Sequence, residues 1–344
     1  MEIGVGLDVR LRLSYPELRS LAREAVGLGY ESAWTTSNVY EDAFQTCAQW
    51  SIVTQDLVEG GIKTGIGVVP VPLWTPTSLA ITGGTLGKLS GGRFVLGLGC
   101  GNIGSEAYRR AHGLAASGPI SLMRDYLSVL RQMLAGEPAD YDGRVLQLHG
   151  ARIDFTPPRV PRFVGALGPQ MLRLSGEFAD GIVLNWCTPE QVAWARERVA
   201  EGALAAGRSL SDMTIGQYIR VCVDDNEEAA RRGLTRALLR YALRLPGSVT
   251  ETGYRRHFGR LGFEEALTEL ETRWADGATE DEIVDAFPPE LVRKVGYYGP
   301  ASGAPEAIRR LAQGLDLAIV RVIAARPGAD AVLATMRACR PALL

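Results

Sequence analysis

Lysine and histidine are nearly missing from this chain. Lys63, Lys88 and Lys294 are the only lysines among 37 basic residues, and there are three histidines, His112, His149 and His257. None of the histidines pairs with another, or with cysteine, at metal-ligand spacing, so the sequence offers no metal centre. Five cysteines, Cys47, Cys100, Cys187, Cys222 and Cys339, are odd in number and scattered without a C-x-x-C pair. That excludes a disulfide framework and reads as free thiols in a reducing compartment. Charge of either sign is not in excess: the net charge is -2, which gives no electrostatic case for nucleic acid or a membrane surface. No apolar run approaches a membrane span, and "MEIGVGLDV" lacks the basic start of a signal peptide, so a cytoplasmic location is expected.

What is present is an ordinary globular composition, 46% hydrophobic and 22% charged, in 344 residues. Arginine replaces lysine alongside heavy alanine and glycine use, a signature of a GC-rich genome. Short apolar runs alternate with helical patterns. "IGVGLDV" predicts a strand over 3–9. The helix after it starts with Ser14 as N-cap and Glu17 three residues later, and stops at Gly29. "SAWTT", "IKTGIGVV" and "RFVLGLG" supply strands two to four, each separated by helical sequence. "RFVGALG", "DGIVLNW", "TIGQYIRVCV" and "LAIVRVIA" supply four more. Eight parallel strands joined by helices predict a single α/β domain over 1–344, a closed (β/α)8 TIM barrel. An open doubly wound sheet is the runner-up. Two stretches exceed the repeat: 102–160 after strand four, with a helix and the hairpin-like "ADYDGRVLQLHGARIDF", and a helical insertion at 240–295 after strand seven.

Gly99, Gly101 and Gly104 spell G-x-G-x-x-G, but no acidic residue ends a strand about 20 residues later; Asp125 lies within a helix. A dinucleotide fingerprint is therefore rejected. The glycines instead mark the C-terminal end of a barrel strand, where barrel enzymes place their chemistry. A planar ring could approach a backbone without Cβ atoms there. A strand-end bulge chosen for packing explains them equally well.

"LSGGRFVLGLGCGN", "MRDYLSVLRQMLAGEPADYDGRVLQLHGARIDF" and "VGALGPQMLRLSGEFADGIVLNW" together resemble the luciferase-like monooxygenase superfamily. Within it they resemble the branch that uses the deazaflavin F420, including methylene-tetrahydromethanopterin reductases and related imine and alkene reductases. The resemblance covers residues 2 to about 225 and the closing "AIVRVIAARPG"; 240–295 does not align. It implies an F420-dependent oxidoreductase that passes a hydride between the deazaflavin C5 and an electron-poor carbon of a small or natural-product substrate. An FMN-dependent two-component monooxygenase and a non-catalytic flavin-binding barrel protein are the alternatives. "GALGPQML" and the arginine bias favour F420.

The same resemblance supplies site residues. Asp8, ending strand one, matches an acidic group near the coenzyme ring. Thr36, Ser37 and Asn38 stand where relatives often have acidic residues or histidine; hydroxyls and an amide can bond the ring's carbonyl edge but donate protons poorly. "TGIGVVPVP" matches the stretch with a non-proline cis peptide, here between Gly67 and Val68. Gly99, Cys100, Gly101 and Asn102 form the loop under the ring. Ala166, Leu167, Gly168, Pro169 and Gln170 open a helix whose free amides suit a phosphate of the coenzyme tail; glutamine at 170 replaces a frequent lysine. Asp8, Asn38, Glu106 and His112 are the candidate catalytic groups, although each histidine reads more readily as structural. Trp74, Tyr108 and Trp186 either wall a substrate pocket or pack the barrel rim. Asp42 is expected to cap a helix. The 240–295 insertion is expected to shape the substrate mouth, and a homodimer is the expected assembly.

Overall fold

The computed structural model describes residues 1–7, 9–37, 41–245 and 253–344. Eleven strands follow in chain order: β1 Glu2–Gly6, β2 Ser32–Thr35, β3 Lys63–Pro70, β4 Phe94–Gly99, β5 Ala139–Asp142, β6 Gln147–Ala151, β7 Arg162–Gly165, β8 Gly181–Asn185, β9 Thr214–Val223, β10 Gly296–Gly299 and β11 Leu317–Val322. Eight of them close into a parallel barrel in the order β9-β11-β1-β2-β3-β4-β7-β8, with β8 returning to β9 through Gly181–Thr214 to Asn185–Tyr218. The predicted TIM barrel is therefore the fold, and the open sheet is excluded.

Local signals explain the flanking helices. Ser14 and Glu17 form the expected capping box, and Asp42 accepts from the Gln45 amide at 2.8 Å to start the helix Ala43–Val53. Between β4 and β7 lie the helices Glu106–His112 and Pro119–Leu134 and the antiparallel hairpin β5–β6. Between β9 and β11 the described chain holds a run of helices, then β10 and the helix Ala304–Leu311. β10 is a strand that helical periodicity hides: its "GYYG" adds to β9 in parallel from Arg220 to Val223, above the point where β8 ends. Among the described residues no helix is long and apolar enough to cross a membrane.

Side chains fill the barrel rather than line a pore. Trp34, Val95, Phe163, Val183, Tyr218, Leu317 and Ile319 form one interior cluster. Trp34, completely buried, reaches so far across that the neighbouring strands carry no side chain opposite it: a Cβ on Gly65 would lie 2.4 Å from the indole, and one on Gly4 3.0 Å. Below the indole, its Nε1 donates to Ser32 Oγ at 3.0 Å, Ser32 donates to Glu2 Oε1 at 2.7 Å, and Lys63 Nζ meets Glu2 Oε2 at 2.7 Å. This polar chain closes the N-terminal end.

Gly65→Ala is expected to destabilise the fold by roughly 1–3 kcal/mol, because the indole has nowhere to move. Gly27→Ala, at a helix end with open space around the new Cβ, is expected to be neutral or to stabilise by about 0.4–1 kcal/mol. Urea midpoints read both; equal midpoints for the two variants would show that Trp34 does not set the barrel's interior.

Candidate functional site at the C-terminal rim

Inward and outward side chains alternate along every barrel strand, so the residues facing the mouth follow from the interior cluster. On β9 the inward set that includes Tyr218 continues to Arg220; on β11 the set that includes Ile319 continues to Arg321. The alternation breaks in β3, where pairing with β4 shifts register between Ile66 and Val69 and the peptide between Gly67 and Val68 is cis. Val68 faces into the barrel there, against the inward positions of Gly99 and Gly165.

This placement revises the reading of the glycine loop. A Cβ on Gly99 would meet Val68 Cγ2 at 2.4 Å, and one on Gly165 would meet Cγ1 at 3.2 Å. The missing side chains on β4 and β7 therefore make room for Val68, not for an open hollow. Val68 itself is half-buried and forms a small apolar floor at the mouth. A Cβ on Gly67 would lie 2.9 Å from the Tyr218 hydroxyl, which donates to the Thr35 carbonyl at 3.1 Å.

After β4 the loop folds on itself. Gly101 has φ +56, and Tyr108 lies over it with its hydroxyl 2.7 Å from where a Cβ would stand. Arg109 Nη1 ties the loop by donating to the carbonyls of Ile103 at 2.9 Å and Gly104 at 3.0 Å. Burial pushes the Cys100 thiol up to about 12, and it donates to the Pro119 carbonyl at 3.3 Å. The buried Oδ1 of Asn102 has no hydrogen-bond partner among the described residues.

At the end of β7, Gly168 is the N-cap of the helix Pro169–Phe178, with no side-chain cap and proline at the first position. A Cβ on Gly168 would meet nothing within 4 Å, and Pro169 and Gln170 are exposed. The first-turn amides thus face open space with the positive end of the helix dipole. Ala166 is buried and Leu167 half-buried at the same corner, while Thr36 and Ser37, half-buried, end β2.

Other candidates fall elsewhere. Asp8 and Asn38 lie outside the described residues. Glu106 and His112 are exposed on one short helix, where Glu106 favours the first turn and His112 stacks on Tyr108 at 4.6 Å; the structure does not join them to the inward-facing polar groups. Trp74 is half-buried and packs against Phe44 at 5.2 Å, and its carbonyl accepts from the Tyr126 hydroxyl. Trp186 does not wall an open pocket: it has φ +59, is completely buried and carries the Arg220 guanidinium 4.0 Å from its ring.

Those neighbours of Trp186 form a polar group that sequence reasoning passed over. Arg220 Nη1 donates to Asn185 Oδ1, and Asn185 Nδ2 donates to the Tyr254 hydroxyl at 2.7 Å. Tyr241 packs edge-on against Tyr254 at 4.8 Å and Trp186 at 5.9 Å. Burial works to raise the Tyr241 phenol, but the charges of Arg220 and Arg10 outweigh it and hold the phenol below its ordinary range. Burial brings Arg321 down to about 10. His257 Nε2 donates to the Trp186 carbonyl at 2.8 Å, and burial keeps its imidazole below the usual value. Tyr254 and His257 come from the 240–295 region and bring that part of it against Asn185 and Trp186 at the end of β8. The available signal was a charge inside an apolar strand, "YIRVCV" and "IVRVI".

Gly99→Ala is expected to destabilise by roughly 1–3 kcal/mol, and Val68→Ala to relieve the clash, so that the double variant is more stable than the sum of the singles by about 1 kcal/mol. A urea-unfolding cycle checks this; strict additivity would mean that Val68 does not occupy the space above Gly99.

The barrel and its rim can be set beside known proteins. The chain is 27% identical over 328 residues, 94% of this chain and 93% of the relative, to a 5,10-methylenetetrahydromethanopterin reductase of Archaeoglobus fulgidus. Its structure superposes on the coenzyme F420 dependent tetrahydromethanopterin reductase of Methanopyrus kandleri with TM-score 0.80 and 21% identity, covering 100% and 99% of the two chains. It superposes on an F420-dependent secondary alcohol dehydrogenase in complex with an F420-acetone adduct with TM-score 0.76 and 17% identity, again covering 100% and 99%. The sequence profile of the luciferase-like monooxygenases matches residues 2–316, and the chain belongs to that family.

Proposed function

We propose that this protein is an F420-dependent oxidoreductase that moves a hydride between the coenzyme and an electron-poor carbon of a small substrate, of the imine, enone or dehydroamino-acid type. The observation that carries the reading is Val68 facing into the barrel mouth over Gly99 and Gly165, an apolar support beside an uncapped helix start. The support comes also from the reductase similarity along nearly the whole chain.

The residues present fit the coenzyme. Val68, backed by Gly99 and Gly165, would lie behind a planar ring, and the Gln170 and Met171 amides at the start of the helix would hold an anionic tail. Thr36 and Ser37 would hydrogen-bond the ring's polar edge. When bound, F420 supplies the carbon at C5 that gives or takes the hydride. The chain's own work is then to fix the ring's face, orient the substrate carbon and keep water out. Tyr254 supports a role for the 240–295 region in shaping the mouth, because it reaches Asn185 at the end of β8.

Parallel fluorescence titrations with F420 and FMN test the reading. F420 is expected to bind at least tenfold more tightly, with no oxygen uptake. Gln170→Glu places a negative charge at the helix start and is expected to weaken F420 about fivefold, an effect of about 1 kcal/mol. Tighter FMN binding with oxygen consumption would replace this function by a monooxygenase; coenzyme binding with no turnover on any imine, enone or dehydroamino-acid would leave a binding protein.

A further inference from the structure

Among the described residues Arg220, Arg255 and Arg321 are buried, and the chain treats the first two differently. Arg255 is 2% exposed and has two carboxylates, Glu264 at 2.8 Å and Glu271 at 2.8 Å, with Thr268 Oγ1 and the Glu264 carbonyl on its remaining nitrogen. Arg220 is 1% exposed and pairs with no carboxylate among the described residues. Nη1 donates to the neutral Asn185, the Tyr241 phenol also lies within side-chain hydrogen-bonding reach of the guanidinium, and Nη2 is buried with no close partner among the described residues.

A guanidinium removed from water without a counter-charge is costly. The surroundings add to the cost. The in-register neighbour of Arg220 on β11 is Arg321, also facing inward, and Arg10 lies 5.8 Å from the Tyr241 ring that Arg220 approaches to 5.2 Å. Arg10 and Arg321 each engage further partners, whereas Arg220 keeps a buried donor with none among the described residues.

We propose that Arg220 is the receptor for an anionic group of the substrate, a carboxylate or similarly planar oxyanion. Nη2 offers the free donor, Asn185 holds Nη1 and fixes the plane of the fork, and the Trp186 ring and the Tyr241 phenol flank it. A fork with one free edge suits a carboxylate better than a round cation-seeking group. The site is distinct from the place assigned to the coenzyme tail. That helix starts after β7, whereas Arg220 stands on β9, with β8 between them. The substrate is thus the source of the anion. This inference rests on the reading that the mouth is where substrate meets coenzyme.

The test uses the full chain with benzoate against benzamide, and acetate against acetamide, probes that differ in charge at nearly constant shape. With F420 bound, benzoate is expected to raise the melting temperature and quench tryptophan fluorescence saturably, and benzamide to do neither. Arg220→Gln should weaken benzoate at least tenfold and leave the F420 dissociation constant within twofold; Arg220→Lys, which keeps the charge but loses the fork, should fall between. Identical behaviour of benzoate and benzamide on the wild-type protein overturns the proposal. So does a tenfold loss of F420 affinity in Arg220→Gln together with displacement of benzoate by F420, which would assign the guanidinium to the coenzyme. If F420 does not bind, the functional reading falls, while the charge discrimination still decides the role of Arg220. Should Arg220→Gln not fold, the wild-type comparison and Arg220→Lys suffice.

Discussion

The entry of Val68 into the barrel governs the upper half of this molecule. One side chain out of alternation takes the volume that β4 and β7 would otherwise fill, and Gly99 and Gly165 are the answer on those strands. Everything at the rim is arranged around that small apolar surface: the loop after β4 folds back under Tyr108, the helix after β7 begins with bare amides, and β9 faces it with Tyr218. A mouth with a shallow floor and donors along one side is suited to a flat molecule with a charged tail.

Two separate packing regions divide the remaining labour. The outer core between strands and helices holds the barrel together, while a second cluster joins Trp186 and Cys222 to Phe258, Leu267, Phe287 and Tyr298 beyond β9. The second cluster is where the chain departs from a plain repeat. Its contacts run through groups that also touch the rim, His257 on the Trp186 carbonyl and Tyr254 on Asn185. The packing of the inserted helices is consequently linked to Arg220 through two hydrogen bonds, Tyr254 with Asn185 and Asn185 with Arg220.

Much of the fold was legible in the sequence because its signals are local. Alternation and glycine stops marked the eight barrel strands, and the Ser14–Glu17 and Asp42 caps stand where the side chains said they would. β10 escaped notice because four residues between helical patterns carry little periodicity. The site was read less completely. The loop glycines were found, but their reason was not, since the clash that requires them comes from another strand. Trp186 was read as a pocket wall or as rim packing; it is completely buried and has a left-handed backbone. Arg220 and Arg321 were overlooked inside apolar strands, where burial and neighbours, not spacing, give a charge its meaning. Asp8 and Asn38 lie outside the described residues.

The polar chain Glu2, Ser32 and Lys63 beneath Trp34 has a consequence for traffic. With that end of the cylinder occupied by an indole and an ion pair, a ligand at the rim approaches from the C-terminal face. Under the proposed function, coenzyme and substrate would share that approach.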